Sequence, residues 1–327
     1  MLLAVMAGLT LFENDSEPCF LLQLPSELLV TLADFLSPAS GRLLSFTCRL
    51  LHNILNNDIT KMVNKLSPHE YDDYLVAMVY GLGMHESFAC VCHRLHRIEP
   101  HDYPGTTKRL AWRQCWPASA IVGQFANYNL HQRHVQLALR HSRSGARRTE
   151  LFKFLRPYHN VGNSIYNPMS WEFSAQPVIA DGSFLIHAHE TFSPLYNSNM
   201  TMGQCQFLKL CPHVQSSRRW RTDTAHSLLR SVLENAFDQK GVRCDGSCND
   251  CATDFSIMAT DTGLELDVWY DFGADTSASS IWWTTHVTYS DGISEQDVEA
   301  FEKASIFPPG ERKLRERHEH AMVEMLQ

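Results

Sequence analysis

The segment Leu24–Pro38 reads LPSELLVTLADFLSP, a short helix with more apolar surface than one core contact uses. Pro25 suits a first helical turn, where its missing N–H would be unpaired anyway, and Glu27 favours the positive end of the helix. At about 100° per residue, Phe35, Leu28, Leu32, Leu36 and Leu29 fall on one broad arc that Ala33 extends. Glu27, Thr31 and Asp34 share the narrow polar strip opposite. A surface helix needs an apolar stripe of about 100°. This arc is wider, so the helix has two surfaces to cover. Ser37-Pro38 caps and starts a second helix, in which Leu43, Leu44, Cys48, Leu51 and Leu55 recur at helical spacing. Two such helices cannot bury all of this surface against each other, and a unit of about forty residues is near the lower limit for folding alone. The unit therefore docks on the rest of the chain or is completed by a partner.

The chain has 327 residues, 44% hydrophobic and 20% charged, which excludes wholesale disorder and leaves room for more than one unit. No apolar run approaches the roughly 20 residues of a membrane span, so no membrane association is expected. Residues 1–19 are apolar at first but have no basic residue ahead of that run, so they read as a loosely ordered leader rather than a secretory signal. The ten cysteines are bunched, which suits reduced thiols or metal ligands better than dispersed bridges and predicts an intracellular protein of the cytoplasm or nucleus. Net charge is −8, but residues 108–156 carry ten Lys/Arg against one acid, while 244–276 carry eight acids and no base. These segments are expected to face each other or to be solvated. Few aromatics interleave the bases from Arg133 to Arg148, so nucleic acid is not an expected partner.

The stretch LQLPSELLVTLADFLSPASGRLLSFTCRLLHNIL resembles the F-box: a Leu-Pro, a leucine-rich helix, a proline turn, and a second helix with Cys-Arg near its middle. The resemblance implies binding to the Skp-type adaptor of a cullin ubiquitin-ligase complex through Leu24, Pro25, Leu28, Leu32, Leu36, Cys48 and Arg49. The rest of the chain would then present a substrate protein, whose identity the resemblance does not give. That remainder is similar to the long F-box proteins of filamentous fungi, in Cys92-x-x-x-His96, Cys211-Pro212-His213 and CNDCATDFSIMATDTGLELDVWYDFG at Cys248–Gly273. It departs from them in Cys90-x-Cys92, where Cys-x-x-Cys is expected, and in His318, where an aromatic is usual.

Ser67-Pro68-His69-Glu70 is a capping box, and His131–His141 reads as a basic helix. Glu172–Ser193 and Thr253–Phe272 each read as two strands, about Ala180-Asp181-Gly182-Ser183 and Asp261-Thr262-Gly263, while Thr224–Asp238 has helical spacing. The expected fold is α+β: a helical unit over 20–60, then a domain of helices and antiparallel hairpins over 61–327.

Cys248-x-x-Cys251, with Cys244 just before it, has the spacing to close on one zinc ion from a tight turn that Gly246 would ease. Two more ligands are needed: Cys211 and His213, with Cys92 and His96 as competitors. Four protein ligands leave no open position, so such a zinc is structural; the bland alternative is a set of buried cysteines acting as small hydrophobes. Asp261-Thr262-Gly263 matches one aspartic-protease loop, but no second loop follows, and it reads as a hairpin turn. His187 and His189 share a strand face with no evident third ligand. Trp269 and Tyr270 are expected in the core, and Trp282 and Trp283 would point opposite ways in a strand. No hydrolase elbow, phosphate loop or dinucleotide fingerprint is present. The expected protein is a non-catalytic F-box subunit; the alternative is a zinc-stabilised scaffold with no ligase role.

Overall fold

A computed structural model of the chain describes residues 19–84, 87–90, 92–99, 101–105, 119–120, 128–144, 148–164, 169–195, 199–205, 208–216, 224–274, 281–286 and 313–326. The expected leader, Cys19 apart, lies outside the described residues. The chain divides into two compact units, Met1–Ser67 and Pro68–Gln327.

The first unit holds a 3-10 turn (Phe20–Gln23) and helices α1 (Ser26–Asp34), α2 (Pro38–Thr47) and α3 (Arg49–Val63). Pro25 stands at the N-cap of α1, where its carbonyl accepts from Leu28 N (3.0 Å) and Leu29 N (3.2 Å). The Ser37 side chain accepts from Ser40 N (3.1 Å), with Pro38 at the first helical position of α2. The single second helix expected from Leu43 to Leu55 is two helices. Thr47 turns its hydroxyl back onto the Leu44 carbonyl (2.7 Å), and Cys48 is fully extended (φ −154°, ψ 163°). The Cys48 thiol then caps α3 by accepting from Leu51 N at 3.5 Å. Helical spacing persists across this break because both helices face the same core of Leu29, Ala33, Leu51, Leu55 and Ile59. Arg42 of α2 clasps α3 through Asn56 and Thr60.

The second unit is built on a six-stranded antiparallel sheet in the order β5 (Tyr158–Ser164), β6 (Met169–Ala180), β7 (Ser183–Pro194), β10 (Leu264–Asp271), β9 (Thr253–Ala259), β8 (Cys244–Ser247). The turn between β6 and β7 uses Asp181 and Gly182 at positive φ (52° and 75°), the left-handed pair that matches the twist of a two-residue hairpin. Thr260 N donates to Gly263 O (2.9 Å) at the next hairpin, so Asp261-Thr262-Gly263 is a turn, with Asp261 paired to Lys240.

One face of the sheet, with Phe173, Phe184, Ile186, Phe192, Phe255 and Leu266, packs with α5 (Gln132–Ser144) and α7 (Thr224–Asp238) into the main core. On the other face, Val178, Ala180 and Leu185 meet Ala321 of α9 (Leu314–Leu326). Ahead of the sheet come α4 (Pro68–Gly81), the hairpin β1–β2 (Ser87–Cys90, Arg94–Arg97) and the two-residue ladder β3–β4 (Ser119–Ala120, Leu130–His131). The short helix α6 (Arg148–Phe154) follows α5, and α8 (Ile281–Thr284) follows β10. Among the described residues the protein is α+β, with helices first and an antiparallel sheet after them.

Two expectations need correction here. The basic segment is a solvated face only in part: Arg143, Lys153 and Arg156 are exposed, but every α5 residue from Arg133 to His141 is buried, and Arg133 pairs with Asp102 while Arg140 donates to the carbonyls of Met84 and Ser87. Among the described residues, the ion pairs of the acidic segment are made with bases outside the basic segment. Asp267 pairs with Arg243, Asp271 with Arg317 and Asp261 with Lys240, while Arg143 donates to the Ala274 carbonyl (2.6 Å). Ile281–Thr284 is a helical turn rather than a strand, burying Trp283 against Phe272 (ring centroids 5.6 Å apart). Trp269 and Tyr270 are buried, as expected.

Candidate metal centre and apolar docking face

The loop 208–216 folds back on itself: Leu210 N donates to Val214 O (2.9 Å) and Ser216 N to Leu208 O (2.7 Å). Tyr270 on β10 donates its hydroxyl to the Leu210 carbonyl (2.8 Å), fixing the loop to the sheet. Cys211 and His213 stand at its tip. The turn from β8 to β9 is closed by Cys248 N to Thr253 O and Thr253 N to Cys251 O, both 2.8 Å, which brings Cys248 and Cys251 together. One ligand atom from each of Cys211, His213, Cys248 and Cys251 lies within 4.8 Å of the others. A tetrahedron with metal–sulfur bonds of about 2.3 Å has edges of about 3.8 Å, so small adjustments close these atoms on one ion.

The surroundings suit thiolates. Val214 N donates to Cys211 Sγ (3.2 Å), and Asp250 N to Cys248 Sγ (3.4 Å). Bonds from the Cys211 and Cys251 thiols, with His213 beside them, hold the Cys248 thiol far below its ordinary value. Burial pushes Cys211 and Cys251 up. His213 Nδ1 is buried with no hydrogen-bond partner, which is costly for a polar atom unless something else binds it. These residues can hold a metal ion.

Of the alternatives read from spacing, Cys211 and His213 join Cys248 and Cys251. Cys92 and His96 do not; they meet Cys90 in a separate group, also within 4.8 Å. Cys244 stays outside both, on β8 opposite Ile257. Gly246 does not make the turn. It lies within β8 opposite Phe255, where an added Cβ would sit 2.3 Å from the ring.

In the first unit α1 presents two faces. Leu29 and Ala33 enter the core, at 1% and 6% exposure, while Leu28 (52%) and Phe35 (85%) are open, with Leu24 and Leu32 also exposed. Of the remaining residues assigned to adaptor binding, Pro25 and Arg49 are exposed, and Leu36 and Cys48 are half-buried. Phe20 adds a further open ring.

Sequence reasoning left His187 and His189 without a third partner. It is Asp267 on β10, which accepts from His187 Nε2 (2.8 Å) and His189 Nδ1 (2.9 Å) and also pairs with Arg243. The signal was register: Asp267 lies directly opposite His189 across β7 and β10, a pairing that sequence spacing does not state. No protein-family model matches the chain, and no curated protein or solved structure is significantly similar to it. Among the described residues, no helix is long and apolar enough to cross a membrane.

Proposed function

We propose that the chain is a non-catalytic F-box subunit of a cullin ubiquitin-ligase complex, working in the cytoplasm or nucleus. Its first unit binds the Skp-type adaptor and its second, carrying structural zinc at Cys211, His213, Cys248 and Cys251, recognises a substrate protein. The observation that carries the reading is the divided surface of α1. Leu29 and Ala33 satisfy the core of the unit, yet Leu28 and Leu32 of the same short helix, with Leu24 and Phe35 at its two ends, remain open. Contiguous open apolar side chains on so small a unit favour a protein partner, and the Leu-Pro and Cys-Arg positions of the F-box resemblance name which one. Bringing a target close to the ubiquitin-transfer machinery then acts through effective concentration. Zinc fits the second unit because three thiolates and an imidazole are borderline-soft ligands in a closed, four-membered set.

The test is a binding titration of the full chain against purified Skp-type adaptor, beside Leu28→Glu/Leu32→Glu. Both side chains are exposed, so the variant is expected to keep its circular dichroism spectrum. Losing two apolar contacts worth about 1.5–3 kcal/mol each predicts at least a hundredfold weaker binding. Equal affinity of the variant, or no binding by folded wild type, removes the ligase reading. What then stands is a zinc-stabilised interaction protein with no ligase role, supported by the orphaned His213 nitrogen.

A further inference from the structure

The β1–β2 hairpin carries the second group. Cys90 faces Arg94 and Phe88 faces His96 across the ladder, so strand alternation puts Cys90 and His96 on one face. The three-residue loop between the strands is closed by His93 N donating to Cys90 O (2.9 Å) and ends with His93 at φ 56°. Glycine is the usual occupant of such a left-handed position in hairpin loops. Here Asp72 of α4 bonds the His93 ring (2.8 Å), tethering the loop. Cys92 thereby returns over the same face, with Sγ 3.0 Å from His96 Nε2. The far side of β1 is equally fixed. Gln136 of α5 accepts from Ala89 N (3.1 Å) and donates to Ala89 O (2.9 Å), doing for the strand what a neighbouring strand would. The three side chains are held before any ligand arrives.

We infer that Cys90, Cys92 and His96 form a second metal site, binding a zinc-type divalent cation through three protein ligands with the fourth position left to solvent or an exchangeable anion or thiol. Two observations separate it from the closed set. Among the described residues no fourth Cys, His, Asp or Glu joins the group, and Cys92 and His96 are only half-buried. Charge points the same way. Two thiolates neutralise a divalent cation, whereas the three of Cys211, Cys248 and Cys251 leave a net negative charge. The hairpin ion therefore keeps more attraction for an anionic fourth ligand, the arrangement of zinc centres that bind water or small ligands.

Metal content of the purified full chain tests the site. Two zinc ions per chain are expected, falling by one in Cys92→Ser and by one in His96→Ala, with circular dichroism unchanged because both side chains are only half-buried. Retention of the wild-type zinc content by both variants overturns the inference. Cobalt-substituted full chain tests the open position. Added azide should shift the visible cobalt bands of the wild type and leave those of Cys92→Ser unmoved. A wild-type spectrum indifferent to azide closes the fourth position and defeats the proposal. Cys248→Ser reports on the other ion alone, so failure here and failure of the structural zinc remain distinguishable.

Discussion

Asp102 accepts from three donors on two neighbouring residues of α5: Arg133 Nε, Arg133 Nη2 (2.9 Å) and His134 Nε2 (2.9 Å). His134 Nδ1 accepts from His131 N (3.2 Å), which fixes the proton on Nε2 where Asp102 needs it. All three side chains are nearly sealed from solvent. Breaking such a set by removing one member strands a buried charge, so Asp102→Asn is expected to cost about 3–5 kcal/mol in urea denaturation, with Asp102→Asn/Arg133→Met recovering much of it. Burial brings His134 down to about 4, against the opposing bond from Asp102, and His131 down to about 3, with Arg133 adding to it. Both are therefore neutral when folded and regain an ordinary value near 6.5 when unfolded. Their contribution is complete above pH 6.5 and is lost as pH falls from there through about 4 for His134 and about 3 for His131, at up to roughly 1.4 kcal/mol per pH unit for each. Burial opposes the charge on Asp102, but the bonds from His134 and Arg133 outweigh it and hold that carboxyl low, so its own contribution disappears only in stronger acid. Urea midpoints should fall between pH 7 and pH 5, and His134→Gln should flatten that fall; a flat wild-type profile contradicts the burial argument. None of this was legible in the sequence. Arg133 and His134 read as a solvated basic face because their partner lies about thirty positions away, in no periodic relation. Cys248 and Cys251 were legible because one turn brings them together.

Elements defined by their own turn chemistry were the readable ones. Asp181-Gly182 announced the β6–β7 hairpin, and the leucine spacing of Thr224–Asp238 marked α7 at both ends. The break at Cys48 was hidden because α2 and α3 send their apolar residues to one core, so the spacing runs on across a residue that is not helical. Ser37 makes the one side-chain cap of α2, and Ser37→Ala should lower the stability of the first unit by about 1 kcal/mol. Gly263 is a different kind of constraint. A Cβ there would stand 2.6 Å from the Phe192 carbonyl on β7, and backbone cannot swing aside as a side chain does. Gly263→Ala should therefore cost about 1–3 kcal/mol, read as an earlier thermal transition. An unchanged transition would mean that β7 and β10 are less firmly paired than their register implies.

At the scale of the molecule, each unit has a core of its own, and the metal centre belongs wholly to the larger one. A fragment of residues 68–327 is expected to fold and to retain the zinc of Cys211, His213, Cys248 and Cys251. A chelator should then lower its thermal transition, and binding should tighten with rising pH because ligating thiols must lose their protons. A chelator-insensitive fragment removes the structural ion. The α+β class was legible here from the order of segments; spacing named Cys211 and His213 beside Cys248 and Cys251 but left Cys92 and His96 as competitors, because helix α7 lies between loop 208–216 and the β8–β9 turn in sequence. The composition of that meeting has one more consequence. Three sulfurs are an odd number, and a two-electron oxidant can join only two of them, leaving the third as a lone thiol. A disulfide formed in this way removes two of four ligands at once and leaves one thiol and one imidazole, too few to enclose an ion. Once there, added metal cannot reverse it; electrons from an external thiol must arrive first.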